Sequence, residues 1–214
     1  MRDKTIIYYT SQTERNGFES KVIENIKRVK GDIPIISVSQ RPLDFGKNIC
    51  VGEVGHSYAN AFRQALIGCY EAKTPFVAMA ESDCLYPKGY FDFKPQDREA
   101  IYNYDNAWVL WAKYKKYFKK EQTHGSVMYG REFAIKVFEE ALKGLPKWNS
   151  GRVDFTLYKP EYKQIEFGGL PVINIKTDDA PNKGVWRKSL GGSRPGQSKE
   201  GEWRGRRFSH AVAD

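Results

Sequence analysis

The chain has 214 residues, of which 40% are hydrophobic, 14% aromatic and 29% charged, with a formal net charge of +9 and a mean hydropathy of −0.64. That length suits one domain, the aromatic content excludes a chain that stays unfolded, and no apolar run approaches the roughly 18 to 20 residues of a membrane-crossing helix. Cys50, Cys69 and Cys84 are odd in number and widely spaced, fitting neither a disulfide framework nor a zinc site. With no signal-peptide pattern, the expectation is a reducing cytoplasm and no integral membrane association.

Residues 5–10, TIIYYT, read as a short buried strand, β-branched and aromatic without a breaker. Over 16–30, Phe18, Val22, Ile26 and Val29 recur at helical spacing, and Gly31 is a stop. IPIISVS at 33–39 reads as a second strand. A Gly- and Pro-bearing connection follows at 40–55. A second helix is predicted over 57–73 with Ala59, Phe62, Leu66 and Cys69 inward; Pro75 ends it and PFVAMA enters a third strand. Strand, helix, strand, helix, strand predicts a doubly wound α/β fold. Neither GxGxxG nor GxxxxGK[ST] occurs, so dinucleotide and P-loop chemistry lack their motifs.

The second half is less regular. A strand leading into a basic helix is expected over 106–120, a strand at 124–130, a helix at 131–145 and another strand at 168–177. The segment RVDFTLYK (152–159) is open between helix and strand. From 181 onward the chain carries eight basic against three acidic residues and six glycines, the composition of an irregular basic tail.

The sharpest feature is FVAMAESDCLYP, 76–87. A buried strand there delivers Glu81, Ser82 and Asp83 at its carboxyl end, the edge where open α/β sheets bind ligands. Two carboxylates one residue apart offer hard oxygens to Mg²⁺ or Mn²⁺, and through the ion to a diphosphate. Thr10 and Ser11 end the first strand, and Asn60 and Arg63 lie three apart on the predicted outer face of a helix. His56 and His124 have no metal-ligand spacing and read as structural.

The stretch 55–87, GHSYANAFRQALIGCYEAKTPFVAMAESDCLYP, resembles the nucleotide-sugar-dependent glycosyltransferases of the GT-A fold, particularly family 2. That family shows a Gly-rich turn, a helix bearing an A-x-N or A-R-N element, and a strand ending in an acidic triplet followed by an apolar residue and often Pro; here Gly55, Ala59-Asn60, Glu81–Asp83 and Pro87 stand in that order. It continues more weakly in GSVMYGREFAIKVFEEAL (125–142). The resemblance implies a GT-A α/β domain over 1–180, with a nucleotide-sugar half at 1–95 and an acceptor half at 96–180, followed by the tail at 181–214. It implies transfer from a nucleotide sugar, a UDP-sugar by expectation, with Mn²⁺ or Mg²⁺ on Asp83. Glu81, Thr10, Ser11, Asp44, Asn60, Arg63, Lys183 and Arg187 would line the donor. Asp154 would be the base of an inverting reaction. The triplet here is Glu-Ser-Asp rather than Asp-x-Asp, and the family's later histidine ligand leaves Asp178, Asp179 and His210 as alternatives.

The acceptor is read from charge. Lys113, Lys115, Lys116, Lys119 and Lys120 are interleaved with aromatics, and Trp108 and Trp111 precede them as a stacking platform. With the basic tail, this favours a polyanionic acceptor, hydroxymethylated pyrimidine in DNA of the kind modified in bacteriophage genomes. The alternatives are a surface polysaccharide or lipid-linked saccharide acceptor, and a non-catalytic nucleic-acid-binding protein.

Overall fold

The computed structural model describes residues 3–14, 17–111, 116–120, 123–149, 159–176 and 201–202. Two sheets and three helices are built from them. The first sheet has seven strands in the order β10-β6-β9-β4-β1-β2-β3. These are β1 (Lys4–Thr10), β2 (Ile35–Ser39), β3 (Lys47–Cys50), β4 (Phe76–Glu81), β6 (Ala100–Tyr104), β9 (Val127–Gly130) and β10 (Lys163–Phe167). Only β9 runs against its neighbours, β4 and β6; the other pairings are parallel. The second sheet has the order β12-β8-β7-β11-β5. Its strands are β5 (Cys84–Leu85), β7 (Ala107–Trp111), β8 (Lys116–Lys120), β11 (Val172–Lys176) and β12 (Gly201–Glu202).

The central strands are apolar on both faces because helices cover both. Ile6, Tyr8, Ala78 and Ala80 point towards α1 (Phe18–Val29), meeting Val22 and Ile26. Ile7, Tyr9, Val77 and Met79 point the other way, towards α2 (Tyr58–Glu71) and α3 (Arg131–Leu142), meeting Ala59, Phe62, Ala65 and Phe138. Helix α2 approaches β1 so closely that a Cβ on Gly68 would lie 2.4 Å from the Ile7 side chain. The mixed α/β architecture with a mostly parallel sheet between helices is the one expected.

Two readings are corrected. The connection 40–55 contains an edge strand, β3, whose mixed KNIC pattern has no alternation to betray it. Lys116–Lys120 is a strand and not a basic helix, because it pairs antiparallel with β7 from Ala107↔Lys120 to Trp111↔Lys116. Both sheets draw strands from both stretches of the chain. β5 from the first half joins the second sheet, while β6, β9 and β10 from the second half complete the first.

The carboxyl ends of β1 and β2 are held by one buried side chain. Gln64 of α2, 1% exposed, donates its amide N–H groups to the carbonyls of Thr10 (2.8 Å) and Val38 (2.9 Å). Gln64→Leu keeps the volume but strands both acceptors, and an unpaired buried acceptor costs ~1–3 kcal/mol. Urea unfolding should show at least that loss with an unchanged m-value.

Candidate functional site

The acidic triplet stands where the sequence places it, at the carboxyl edge of the parallel strands. Glu81 is the last residue of β4 and the register partner of Tyr9. The chain then turns sharply into β5, which leaves the first sheet for the second. That turn is pinned from below. Buried Asn25 of α1 donates to the Tyr86 carbonyl (3.0 Å) and accepts from the Tyr86 N–H (2.8 Å). The Tyr86 hydroxyl in turn accepts from the Glu81 N–H (3.1 Å) and donates to the Gly125 carbonyl.

Each carboxylate has its own setting. Glu81 Oε1 accepts from the Tyr9 hydroxyl at 2.9 Å, and the group lies against Gly125, where an added Cβ would sit 2.6 Å from Oε2. Burial, then the charge of Asp83, raises the Glu81 carboxyl above its ordinary value, against the pull of Lys120, Lys176 and the Tyr9 hydroxyl. Asp83 faces the second sheet. Its Oδ1 accepts from Asn174 Nδ2 at 2.7 Å, and its Oδ2 lies 3.3 Å from Lys176 Nζ. The main chain joins too, with the Ile175 N–H donating to the Asp83 carbonyl at 2.7 Å. Burial works to lower the Lys176 pKa, but Asp83 and Glu81 outweigh it and hold the ammonium firmly charged.

One ligand atom each from Glu81, Asp83 and Cys84 lies within 4.8 Å of the others. The carboxylates fit a hard cation such as Mg²⁺ or Mn²⁺. Cys84 does not join them: burial, then Asp83 and Glu81, pushes its thiol well above the ordinary range, and a soft thiol suits such ions poorly.

Thr10 and Ser11 share this edge. Thr10 Oγ1 accepts from the Gln12 N–H at 2.9 Å, and Ser11 Oγ lies 3.1 Å from Thr13 Oγ1. Asp44 does not share it. It is exposed in the crossover that returns the chain to the start of β3, where Lys47 pairs with Ile36 near the opposite end of β2. Asn60 is fully buried rather than on an outer face. It donates to the carbonyls of Val54 (2.8 Å) and Gly55 (3.1 Å) and accepts from the Asn149 N–H (2.8 Å), so it ties the loop before α2 to the segment after α3. Arg63 donates to the carbonyls of Leu145 (2.9 Å) and Pro146 (2.7 Å), beside a cavity of about 400 Å³ shared with Leu66, Glu139 and Leu142.

The tryptophans do not form one platform. Three residues apart on a strand, they face opposite sides of the second sheet. Trp108 donates to Asn106 Oδ1 at 2.7 Å and meets Tyr117, whereas Trp111 shares a face with buried Val109 and is the register partner of Lys176. Lys116 is described only by its pairing, opposite Trp111. Lys113, Asp154, Lys183, Arg187 and His210 lie outside the described residues, as do Asp178 and Asp179.

Sequence reasoning missed Tyr9, Gly125, Asn174 and Lys176, and it assigned Lys120 to the acceptor where its charge acts on Glu81. One signal was available: Asn174 and Lys176 are polar residues two apart in the otherwise apolar VINIK, so they mark one face of that strand.

No protein-family model matches the chain, and no curated protein matches it. Solved structures do. Mannosyltransferase PcManGT from Pyrobaculum calidifontis, in complex with GDP-Man and Mn²⁺, is similar at 15% identity and TM-score 0.48, covering 87% of this chain and 60% of that one. The bifunctional IspDF from Campylobacter jejuni is similar at 11% identity and TM-score 0.45, covering 78% and 50%. TarS of S. aureus follows at 9% identity and TM-score 0.42, covering 64% and 30%. The chain thus spans 60% or less of each of these proteins, and likeness this distant decides neither substrate nor reaction.

Two outcomes follow from the geometry. Gly125→Ala forces a methyl against the Glu81 carboxylate, and such overpacking costs ~1–3 kcal/mol, readable by urea unfolding. His124 is pushed from its ordinary 6.5 down to about 3, by burial first and then by Lys120. The unfolded chain therefore takes up this proton near pH 6.5 while the folded chain refuses it until about 3, so stability falls with pH across that window. In His124→Gln, the decline of melting temperature between pH 7 and 4 should be shallower than in the parent.

Proposed function

We propose that the protein is a glycosyltransferase that takes its sugar from a nucleoside diphosphate donor. One observation carries the reading: a carboxylate pair, Glu81 and Asp83, at the carboxyl edge of a parallel sheet, faced by a charged lysine from the second sheet. The position is where α/β sheets hold ligands, and alternating charge of this kind suits a diphosphate. The sequence resemblance points the same way, towards a UDP-sugar and an inverting outcome.

In this reading Asp83 and Glu81 would hold Mg²⁺ or Mn²⁺, which would supply electrostatic stabilisation of the departing diphosphate. The Tyr9 hydroxyl holds the Glu81 carboxylate, Tyr86 its main-chain N–H, and Asn174 the Asp83 carboxylate, so both acids are positioned before a donor arrives. Thr10 and Ser11, at the same edge, lie where the nucleoside would rest. An acceptor hydroxyl attacks the anomeric carbon, and the bond to the diphosphate oxygen breaks with its electron pair leaving on that oxygen. The hydroxyl proton passes to a carboxylate, proposed to be Asp154; such a base is typically worth ~10²–10⁴-fold. Lys183 and Arg187 are proposed as further cations for the diphosphate, and His210 as a further metal ligand. The proposed acceptor is hydroxymethylated pyrimidine in DNA, on the strength of the +9 charge and the lysines of 113–120.

The direct experiment incubates the protein with a panel of nucleotide sugars and hydroxymethylcytosine-containing DNA, digests to nucleosides and seeks a hexose mass increment. Asp83→Asn should lower transfer by orders of magnitude while the circular dichroism spectrum stays native; full turnover in that variant removes Asp83 from the reaction. For the acceptor, DNA affinity should fall with salt at a log–log slope of about −0.9 per phosphate contact. Truncation from Leu190 removes Arg194, Lys199, Arg204, Arg206 and Arg207 and should flatten that slope. An unaltered slope removes the tail from the DNA contact.

A further inference from the structure

We propose that Lys176 is a built-in counter-ion which competes with a divalent cation for Asp83, so that this corner binds a nucleoside diphosphate with or without the metal. The inference rests on the donor-binding reading above and adds a residue and a metal-independence to it.

The geometry is specific. Lys176 ends β11, and β11 lies between β7 and β5 in the second sheet. Alternation along β11 puts Val172, Asn174 and Lys176 on one face, and two of the three reach Asp83: Asn174 Nδ2 at 2.7 Å from Oδ1 and Lys176 Nζ at 3.3 Å from Oδ2. The pair is largely shielded, with side-chain exposures of 18% for Lys176 and 16% for Asp83. Water therefore screens their attraction only partly, while the remaining exposure leaves a path for a ligand. An ammonium has three N–H donors, and among the described residues Asp83 is the hydrogen-bond partner of this one. A diphosphate at this edge could take up the ammonium's remaining donors.

The surroundings reinforce this balance. On β8, Lys120 is the register partner of Ala107 and so shares the face that carries Val109, Trp111 and, across the sheet, Lys176. Its charge acts on Glu81, Cys84 and His124. Among the described residues, two carboxylates, Glu81 and Asp83, thus stand against two ammonium groups, Lys176 and Lys120. A divalent cation entering this corner must displace Lys176 from Asp83 to gain the oxygen that the ammonium holds. The displaced ammonium stays tethered beside the ligand. A diphosphate, by contrast, meets an ammonium already in place.

The test measures binding, not turnover. UDP and GDP are titrated calorimetrically into the full chain in EDTA and, separately, in excess Mn²⁺, for the parent, Lys176→Met and Lys176→Arg. A charge-assisted hydrogen bond to phosphate is worth ~10-fold or more in affinity. The parent should bind at least one of the two nucleotides in EDTA. Lys176→Met should lose ~10-fold or more there, with Lys176→Arg largely restoring it. Mn²⁺ alone, followed by electron paramagnetic resonance, should bind Lys176→Met more tightly than the parent, because its competitor is gone. A native melting profile for Lys176→Met itself shows that its loss of binding is not misfolding, and restoration in Lys176→Arg ties the loss to the charge. If Lys176→Met binds nucleotide in EDTA as tightly as the parent does, the inference is overturned and the donor reading stands. If the parent binds neither UDP nor GDP in either buffer, the donor reading itself fails and the inference falls with it.

Discussion

Two carboxyl groups one residue apart at a half-buried sheet edge repel each other, and each loses hydration as the chain folds around it. The structure around Glu81 and Asp83 is organised by the need to relieve that cost. Glu81 turns towards the helices α2 and α3, where the Tyr9 hydroxyl meets it and the missing side chain of Gly125 leaves it room. Asp83 turns towards the second sheet, where an amide and an ammonium meet it. The reversal between them sends the carboxylates to different partners, which is why they coexist within 4.8 Å.

This division ties the two sheets together. The first sheet provides the strand that delivers the acids; the second provides the groups that neutralise them. β5 is the physical link, since Cys84 and Leu85 follow the triplet directly and pair with Asn174 and Ile173. Around it Tyr90 packs edge to face on Phe91 and Tyr104, and Tyr86 lies tilted against Tyr90 and Phe91, burying the segment after the turn. Asn25 and Gln64 act alike on the opposite faces of the first sheet: each is a buried amide from a helix that satisfies main-chain groups near the site.

Much of the first sheet was legible in the sequence because its elements are specified locally. The apolar spacing of Val22 and Ile26 and the unbroken TIIYYT and FVAMA runs each state a period and a burial that the neighbours cannot override. The acidic triplet was legible for the same reason, since the end of an apolar strand marks the end of a buried element. Asn60 was misplaced because helical spacing assigns a face but not what covers it; here the segment at Asn149 covers it. The tryptophans were grouped by nearness in sequence, whereas the strand's period of two separates them. Lys116–Lys120 carried no local sign of its strand, which exists because β7 offers it a ladder.

The sequence by itself determined an α/β chain with a parallel core, a carboxylate pair at the edge of its third apolar strand, and a strongly basic charge. Those properties follow from composition and from periods of two and 3.6 residues, which any short window carries. The tertiary structure alone decided what the carboxylates face. Lys176 lies 93 positions from Asp83, and Tyr9 lies 72 from Glu81. Neither contact is written in any local window, because each depends on the register of two strands pairing across the sheet and on a turn that moves the chain from one sheet to the other.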